Sequence, residues 1–277
     1  MPSTNLSRRS FLAATAGAVA LSPLARLAAA ASASNLNLGL QIYSLRNYKV
    51  DEALQHTRDL GFKFVEFYPG MYPIASDAAA IDTMKKKLVD LGLTISAHGV
   101  NRFTKDAAAN RKMFEFAKAA GIKTFGADPD PDSFASLDEL VKEFDVRVAI
   151  HNHGPTHRYN KAIDVLHAVE KYDPRIGACA DLGHFIRSGE QPVEVIRLLK
   201  GRLYGVHLKD FAEMTAGAKG VILGKGHINV PAVMAALVAA DFPADGALSV
   251  EYEENPQNPL ADIKACEQVA REAIVGL

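Results

Sequence analysis

The sequence predicts a single α/β domain, and more specifically a (β/α)8 or TIM barrel. The first observation is a regular alternation of short apolar segments with longer amphipathic segments after the first 33 residues. The second is that glycine follows several of the longer segments, as it does at the ends of helices. The third is a span of about 240 residues, close to the ~250 typical of this barrel. Strands separated by helices form parallel βαβ units, so these observations favour a closed parallel sheet.

The predicted strands are short and apolar, as buried parallel strands are. In the fifth of them Val146, Val148 and Ile150 alternate before polar residues begin, and Gly154 and Pro155 then break the segment. The eight predicted strands lie at 36–44, 62–70, 93–101, 123–129, 146–154, 175–184, 202–210 and 246–255.

A helical segment follows each predicted strand. Gly61, Gly92 and Gly121 follow the first three helices and supply the left-handed residue that ends a helix. A doubly wound open sheet is the alternative architecture, but no GxGxxG follows the first strand to support a dinucleotide-binding fold. The eight predicted helices lie at 51–60, 77–91, 105–120, 137–144, 161–172, 192–199, 230–240 and 261–275.

The first 33 residues resemble an export signal. Residues 7–12 read SRRSFL, an alanine-rich apolar run extends to about Leu21, and small residues fill 28–33. These are the parts of a signal peptide, and the paired arginines resemble a twin-arginine signal. The alternative is a short N-terminal helix or a membrane anchor, although the run is short for a bilayer. We expect residues 1–33 to be cleaved, and residues 34–277 to be periplasmic or secreted without stable membrane insertion.

Composition and charge are those of a soluble globular protein, with 48% hydrophobic and 23% charged residues. The formal net charge is −1, and loss of Arg8, Arg9 and Arg26 with the signal would make it −4. No basic block stands out, which argues against a nucleic-acid partner. Cys179 and Cys266 lie in apolar segments and are interpreted as reduced thiols in or near the core, although one disulfide could form.

Polar side chains concentrate at the carboxyl ends of the predicted strands, where barrel enzymes carry their active sites. Some have another interpretation: His98 could be a hydrogen-bonded core histidine, Glu66 an arginine partner, and Asp181 a cap of the next turn. Acidic residues are rarely buried without partners, however, and Asp181 and Glu251 each follow an apolar run. Histidines and carboxylates from successive strands therefore predict one functional site. In chain order these residues are Gln41, Tyr43, Glu66, His98, Asp128, His151, His153, Asp181, His184, His207, Lys209, Asp210, Glu251, Glu253 and Glu254.

The residue types at these strand ends suit a metal ion. Histidine and carboxylate without cysteine are ligands for Zn2+, Mn2+, Co2+ or Fe2+. A different kind of site is suggested by Gly224-Lys225-Gly226 after the seventh strand, which could bind an anion or form a flexible turn. The residues alone favour neither interpretation of that segment.

Several motifs make the chain resemble the xylose-isomerase-like TIM barrels, which include sugar epimerases, inosose dehydratases and endonuclease IV. The most specific pair is CADLGH at 179–184 followed by GVHLKD at 205–210. SVEYEE at 249–254, QIYSLR at 41–46 and VEF at 65–67 add to it. The resemblance covers nearly all of residues 34–277, and it implies a carbohydrate-modifying enzyme with one divalent metal ion, expected to be Mn2+, Zn2+ or Co2+.

The resemblance also implies roles for individual residues. Metal ligands in that family come from strands five to eight, and the last three correspond to Asp181, His207 and Glu251. The strand-five ligand is a glutamate in the family, and His151 stands at that position here. Contacts with substrate are implied for a second group of residues, namely Tyr43, Arg46, Glu66, His98 and His184.

A histidine at the fifth strand changes the expected chemistry. It remains a competent ligand, but the ligand charge becomes −2 rather than −3. Because one carboxylate base is lost, epimerisation by two bases is less strongly expected. Isomerisation or β-elimination, for example on 3-keto-glycosides, is correspondingly more strongly expected. We expect Glu251 to remove a proton next to the carbonyl of a keto-sugar or polyol-type substrate, through a metal-stabilised enediolate. His153, Lys209 and His184 are the other candidate catalytic residues.

Two hypotheses of other classes remain open. An endonuclease IV-like phosphodiesterase could recruit His98, His184 and His227 as further ligands, but export and the acidic mature charge argue against it. A non-catalytic exported barrel that binds sugar or metal is the other, because fold alone does not prove chemistry. We expect a small-molecule carbohydrate as the partner, and a homodimer through the barrel rim is conceivable.

Overall fold

The computed structural model describes residues 36–277, so the predicted export signal lies outside the described residues. All eight predicted barrel strands are confirmed as one closed parallel barrel, in the order β1–β2–β3–β4–β5–β6–β7–β10 with β10 closing on β1. The strands of the described chain are Leu38–Gln41 (β1), Phe64–Phe67 (β2), Thr94–Phe103 (β3), Thr124–Pro129 (β4), Arg147–His151 (β5), Ile176–Asp181 (β6), Leu203–Leu208 (β7), Asp210–Phe211 (β8), Gly220–Val221 (β9) and Ala247–Val250 (β10). The β8 and β9 strands pair as a small antiparallel hairpin outside the barrel.

Helices connect the strands as predicted. Gly92 and Gly121 adopt φ of 65° and 77° at two helix ends, a backbone conformation that glycine accepts without strain. Asp77 and Asp106 begin the same two helices by accepting hydrogen bonds from the amides of Ala80 and Ala109. The α-helices are Val50–Asp59 (α1), Ala78–Leu91 (α2), Ala107–Ala120 (α3), Phe134–Phe144 (α4), Ala162–Val169 (α5), Leu182–Arg187 (α6), Pro192–Leu198 (α7), Val230–Ala239 (α8) and Leu260–Val275 (α9).

Six predicted strands extend too far along the chain, by two to five residues. The first ends at Gln41 and is followed by a 3-10 helix, Ile42–Leu45, while the last ends at Val250. The sixth ends at Asp181, where its carboxylate accepts a hydrogen bond from the amide of His184 and starts the unpredicted helix α6. At Gln41 and Asp181 the side chain accepts a hydrogen bond from an amide of the helix that follows, and this cap ends the strand.

Strand register places the polar strand ends close together. Asp181 of β6 lies opposite His207 of β7, and His207 lies opposite Ser249 of β10. His151 of β5 lies opposite Cys179 of β6. Because the barrel is closed, side chains from β5, β6, β7 and β10 converge at its carboxyl end.

Two further expectations concern the cysteines and membrane insertion. Cys179 and Cys266 are both buried and free, as interpreted from the sequence. Within residues 36–277 no helix combines the length and apolarity needed to cross a bilayer.

Neither interpretation of the GKG segment describes what the structure shows. Asp210 is buried, and its carboxylate accepts hydrogen bonds from the amides of Gly224 (2.9 Å) and Gly226 (3.0 Å). Amides that would bind an external anion are therefore already engaged, and the turn is anchored rather than loose. Further amides bound to the same carboxylate are those of Phe211, His227 and Ile228.

Candidate metal centre and active site

Four buried side chains form a compact cluster at the carboxyl end of the barrel. One ligand atom from each of His151, Asp181, His207 and Glu251 lies within 4.8 Å of the others. His207 Nδ1 is 3.1 Å from His151 Nε2, 2.9 Å from Glu251 Oε2 and 3.7 Å from Asp181 Oδ2. The structure thus brings together the four residues that the resemblance implies as metal ligands.

Glu66 fixes the orientation of His207. Its Oε1 accepts a hydrogen bond from His207 Nε2 at 3.0 Å, and its Oε2 accepts one from the Ser249 hydroxyl at 2.6 Å. Since Nε2 carries a proton in this bond, Nδ1 faces the cluster and would offer its lone pair to a metal ion once it is deprotonated. Glu66 is only 1% exposed, so the structure assigns it to His207 rather than to the expected contact with substrate.

The donor set fits a divalent cation. Asp181 Oδ2 and Glu251 Oε2 are buried and make no hydrogen bond within the described chain. Two imidazoles and two carboxylates carry a charge of −2 in their ligand state, which a divalent ion would neutralise. The orphaned oxygens and the charge therefore both support a metal centre, without selecting one metal.

Lys209 completes the charge balance of the site. Its ammonium lies 3.3 Å from Asp181 Oδ2 and 3.2 Å from Glu251 Oε2, and it also pairs with Glu253. Although burial opposes a charged amine, Asp181 and Glu251 raise the pKa of Lys209 above its usual range. Burial would raise the pKa of Glu251, but Lys209 and His207 lower it to about 2. Lysine and glutamate are thus both charged near neutral pH.

His153 and His184 are neutral imidazoles beside the cluster. Their ring centroids lie 4.7 Å and 5.9 Å from that of His151. Burial lowers the pKa of His153 to about 3 and that of His184 to about 4. Each has an Nδ1 that is buried and makes no hydrogen bond within residues 36–277. Both rings are therefore neutral near neutral pH and can accept hydrogen bonds, but neither acts as a charged acid.

A cavity of about 380 Å3 opens above the cluster, and we call it the catalytic cavity. Its lining includes His153, His184 and Lys209 together with Tyr43 and Tyr68. The two tyrosine rings meet edge to face with centroids 5.1 Å apart. Its size lies within the range of roughly 300–1,000 Å3 for small-molecule sites. Tyr43 is thus placed where the sequence predicts it.

Arg46 supports the cavity without lining it. Its guanidinium lies 4.8 Å from the Tyr43 ring centroid and donates hydrogen bonds to the carbonyls of Tyr43 and Glu253. It holds the first and last barrel loops together, so its expected contact with substrate becomes an indirect one.

His98 occupies the core rather than the cavity. The side chain is fully buried, and its ring nitrogens bond to the Tyr72 carbonyl (2.8 Å) and to Asn101 Nδ2 (3.1 Å). Rings of Phe116 and Phe125 pack around it. The core interpretation, which the sequence left open, is the one that describes His98.

The further ligands that a phosphodiesterase cluster would need are not brought together. His98 is enclosed as described, and His227 Nε2 bonds to Gln191 Oε1 at 3.3 Å. Of the three candidates, His184 is the one that lines the catalytic cavity.

Sequence reasoning missed two residues that shape the site. Asn152 pairs with the backbone of Asp181 on both sides, accepting from its amide at 2.8 Å and donating to its carbonyl at 2.9 Å. Tyr68 lines the catalytic cavity just after β2. Asn152 stands inside the HNHG segment, so its position between two candidate histidines was the available signal.

Comparison with known proteins gives a consistent family. The profile of the family described as xylose isomerase-like TIM barrel matches residues 54–269. Inosose dehydratase from Clostridium tetani is 31% identical over 159 residues, covering 50% of this chain and 52% of that protein. The 3-oxo-isoapionate decarboxylase from Pectobacterium atrosepticum is 28% identical over 147 residues, covering 50% of this chain and 52% of that protein. The chain spans about half the length of the curated relatives it matches.

A solved structure supports the fold. The D-psicose 3-epimerase from Clostridium cellulolyticum H10, solved with D-tagatose, aligns with a TM-score of 0.70 over 86% of this chain and 99% of that one. Its sequence is 14% identical, so the likeness concerns the fold alone.

Proposed function

The chain belongs to the xylose isomerase-like TIM barrel family, and from this premise we propose that it is a divalent-metal-dependent enzyme acting on a carbohydrate with a carbonyl group. The observation that carries the proposal is the buried cluster of His151, Asp181, His207 and Glu251 beneath an open cavity. The names of the two relatives, an inosose dehydratase and a 3-oxo-isoapionate decarboxylase, describe lyase reactions. Isomerase, epimerase or lyase chemistry is the reaction class that fits this family and this cluster.

The charged groups of the site suit proton transfer next to a carbonyl. A divalent ion held by the cluster would act as a Lewis acid on adjacent carbonyl and hydroxyl oxygens of the substrate. Glu251 is ionised, and we assign it as the base that takes the proton from the neighbouring carbon. The electron pair of the broken C–H bond then moves into the carbonyl and gives an enediolate. Lys209, with its three N–H donors, stabilises the negative charge that develops on oxygen.

Glu251, which is protonated in the first step, returns the proton in this proposal, because its lowered pKa makes the protonated carboxyl a strong acid. Because burial lowers the pKa of His153 to about 3, its ring is neutral at the working pH and carries no extra proton to donate. Return of the proton to carbon completes an isomerisation or epimerisation. Departure of a substituent from the next carbon, with the proton delivered to it from Glu251, completes a β-elimination.

Elimination is the second candidate, and one observation favours it. The fifth strand contributes the imidazole of His151 to the cluster, whereas Glu66 is engaged with His207 and Ser249. The remaining carboxylate on the catalytic cavity, Glu253, is paired with Lys209. Glu251 is therefore the carboxylate best placed to act as a base, as a one-base elimination requires.

Proton exchange in D2O tests this function. Protein loaded with Mn2+, Zn2+ or Co2+ is incubated with D-fructose, D-psicose, D-tagatose and a 3-keto-glucoside, and proton NMR follows the products. Deuterium at the carbon next to the carbonyl indicates isomerase or epimerase chemistry, and an unsaturated ketone indicates a lyase. Tight binding with neither product would instead support a non-catalytic binding barrel.

A pair of histidine variants controls the experiment. His207→Ala should lose both the reaction and the ion, whereas wild type holds about one divalent ion per chain by elemental mass spectrometry. His167→Ala changes an exposed histidine of α5 and should behave as wild type. Full activity with stoichiometric metal in His207→Ala would contradict the site.

The cellular location and the oligomeric state of the protein are proposed from its sequence. The SRRSFL segment at 7–12 supports export through the twin-arginine route to the periplasm or beyond. The absence of a basic block supports a small-molecule substrate rather than nucleic acid. A homodimer stays a prediction, for which sedimentation analysis is the direct measurement.

A further inference from the structure

A second cavity of about 250 Å3 adjoins the catalytic cavity, and we call it the adjoining cavity. The two share four wall residues: His184, Lys209, Glu251 and Glu253. These include Glu251, the candidate base, and Lys209, the charged group beside it. The cavities therefore meet at the reactive end of the site rather than at its entrance.

The walls of the adjoining cavity combine aromatic rings with charged planar groups. Phe211 and Tyr252 contribute rings, and the Tyr252 hydroxyl is fixed by a 2.9 Å hydrogen bond to Asp262. Arg187 and Glu254 contribute a guanidinium and a carboxylate. Aromatic rings pack against the apolar faces of sugar rings, and planar ionic groups bind pairs of hydroxyls, so this lining suits a neutral polyhydroxylated group.

Arg187 is held in place but keeps a free donor. Its Nε and Nη2 donate to the Ala216 carbonyl at 3.1 Å and 2.8 Å, and its guanidinium carbon lies 5.2 Å from the Phe211 ring centroid. Within residues 36–277 its Nη1 makes no hydrogen bond that would occupy it. Arg187 lines the adjoining cavity, so its guanidinium is held in place before a ligand arrives.

The loop that encloses the adjoining cavity is built in advance. Asp210 holds the backbone at both ends of the 211–228 segment through the hydrogen bonds described above. The β8–β9 hairpin of this segment supplies Gly220 and Val221 to the wall. Binding here would not require the loop to order first, which lowers the entropic cost of binding.

We propose that the adjoining cavity is a second carbohydrate subsite, and that the substrate class of the enzyme is a glycoside. One sugar unit lies over the metal-ligand cluster, and the sugar linked to it occupies the adjoining cavity. The inference rests on the proposed function, because it takes the catalytic cavity as the site of the carbonyl-bearing unit. At about 250 Å3, the adjoining cavity falls just below the range of roughly 300–1,000 Å3 for whole ligands, as suits one part of a larger molecule.

Calorimetric binding of matched sugars tests the subsite. The Mn2+-loaded protein is titrated with D-fructose and with turanose, maltulose and palatinose, which carry a glucosyl group on oxygen 3, 4 or 6 of fructose. At least one disaccharide should bind about tenfold or more tightly than fructose, a gain of about 1.4 kcal/mol. If fructose binds and no disaccharide binds more tightly, the subsite is overturned while the proposed function stands. If none of the four sugars binds, the subsite is overturned, and the proton exchange in D2O decides the proposed function separately.

A substitution that fills the adjoining cavity tests whether the tighter binding of the disaccharide arises there. Ala218 lines this cavity, and Ala218→Phe should remove the tighter binding of the disaccharide. Ala107→Phe places the same side chain on the exposed start of α3 and should leave the gain intact. Unchanged melting temperatures verify that both variants are folded. A disaccharide preference that survives in folded Ala218→Phe would contradict the assignment.

Discussion

At the scale of single residues, His207 decides the character of the site. Burial would lower its pKa, but Cys179, Glu66 and Glu251 hold that pKa well above its usual range. Without a metal ion the imidazole therefore carries a second proton at neutral pH. A metal ion must displace this proton from Nδ1, so protonation and metal binding compete.

Metal affinity should consequently rise with pH. Below the pKa of His207, each pH unit should change the affinity by roughly tenfold, because one proton is released per ion bound. Asp181 and Glu251 do not add to this slope near neutrality, since Lys209 and the histidines keep both carboxyls ionised down to low pH. Competition with a chelator at pH 6, 7 and 8 measures the slope. A flat profile would show that His207 is not a ligand.

Glu66→Gln separates the orienting role of Glu66 from simple packing. The amide keeps the volume but removes the charge that raises the pKa of His207. We expect metal affinity at pH 8 to fall by about 10–100-fold, as for other partners of metal-bound histidines. The pH dependence should also shift to lower pH, which lost packing alone would not cause. Glu170→Gln, on an exposed glutamate, is the matched control.

At the scale of elements, the loop after β7 shows how one buried carboxylate organises a segment without regular structure. Asp210 is 2% exposed, and the amides it binds come from both ends of the 211–228 segment. Charged hydrogen bonds to backbone amides are stronger than neutral ones, so this carboxylate stabilises the hairpin more than its two short strands do. It thereby sets one wall of the adjoining cavity.

Removing the Asp210 carboxylate should loosen this loop. Asp210→Ala leaves several amides without a partner, and we expect a loss of about 3 kcal/mol in the free energy of unfolding. Urea titration measures that loss, and limited proteolysis should show new cleavage within 211–228. Asp82→Ala, at an exposed aspartate of α2, should change neither. A stable, protease-resistant Asp210→Ala protein would show that the loop is held by other contacts.

At the scale of the whole molecule, the barrel must fold and then reach its place of action. Twin-arginine signals are read through their paired arginines. Replacing Arg8 and Arg9 by lysine should keep the protein in the cytoplasm in uncleaved form, whereas wild type appears shortened in the periplasm or medium. Fractionation and intact-mass measurement give both results. Export that is unaffected by the double replacement would contradict the proposed route.

Much of the fold is local in origin and was therefore predictable. Apolar alternation, glycines such as Gly92 and Gly121, and repeated strand–helix units each act over a few residues. Asp181, His207, Glu251 and His151 belong to strand ends, and closure of a parallel barrel brings strand ends together. The predicted strand ends were less accurate, because the cap at Asp181 depends on side-chain geometry that composition does not show.

By itself the sequence determined the (β/α)8 barrel, since periodicity and the order of strands are written along the chain. Its resemblance to the family implied the candidate metal ligands. Only the tertiary structure decided which polar side chains reach the cavity. Glu66 bonds to His207 and Ser249 inside the barrel, and His98 is enclosed by aromatic rings. The alternation of apolar residues shows which face of a strand a side chain occupies, but not how far along the barrel axis it lies. That position depends on the stagger between strands, which long-range packing sets.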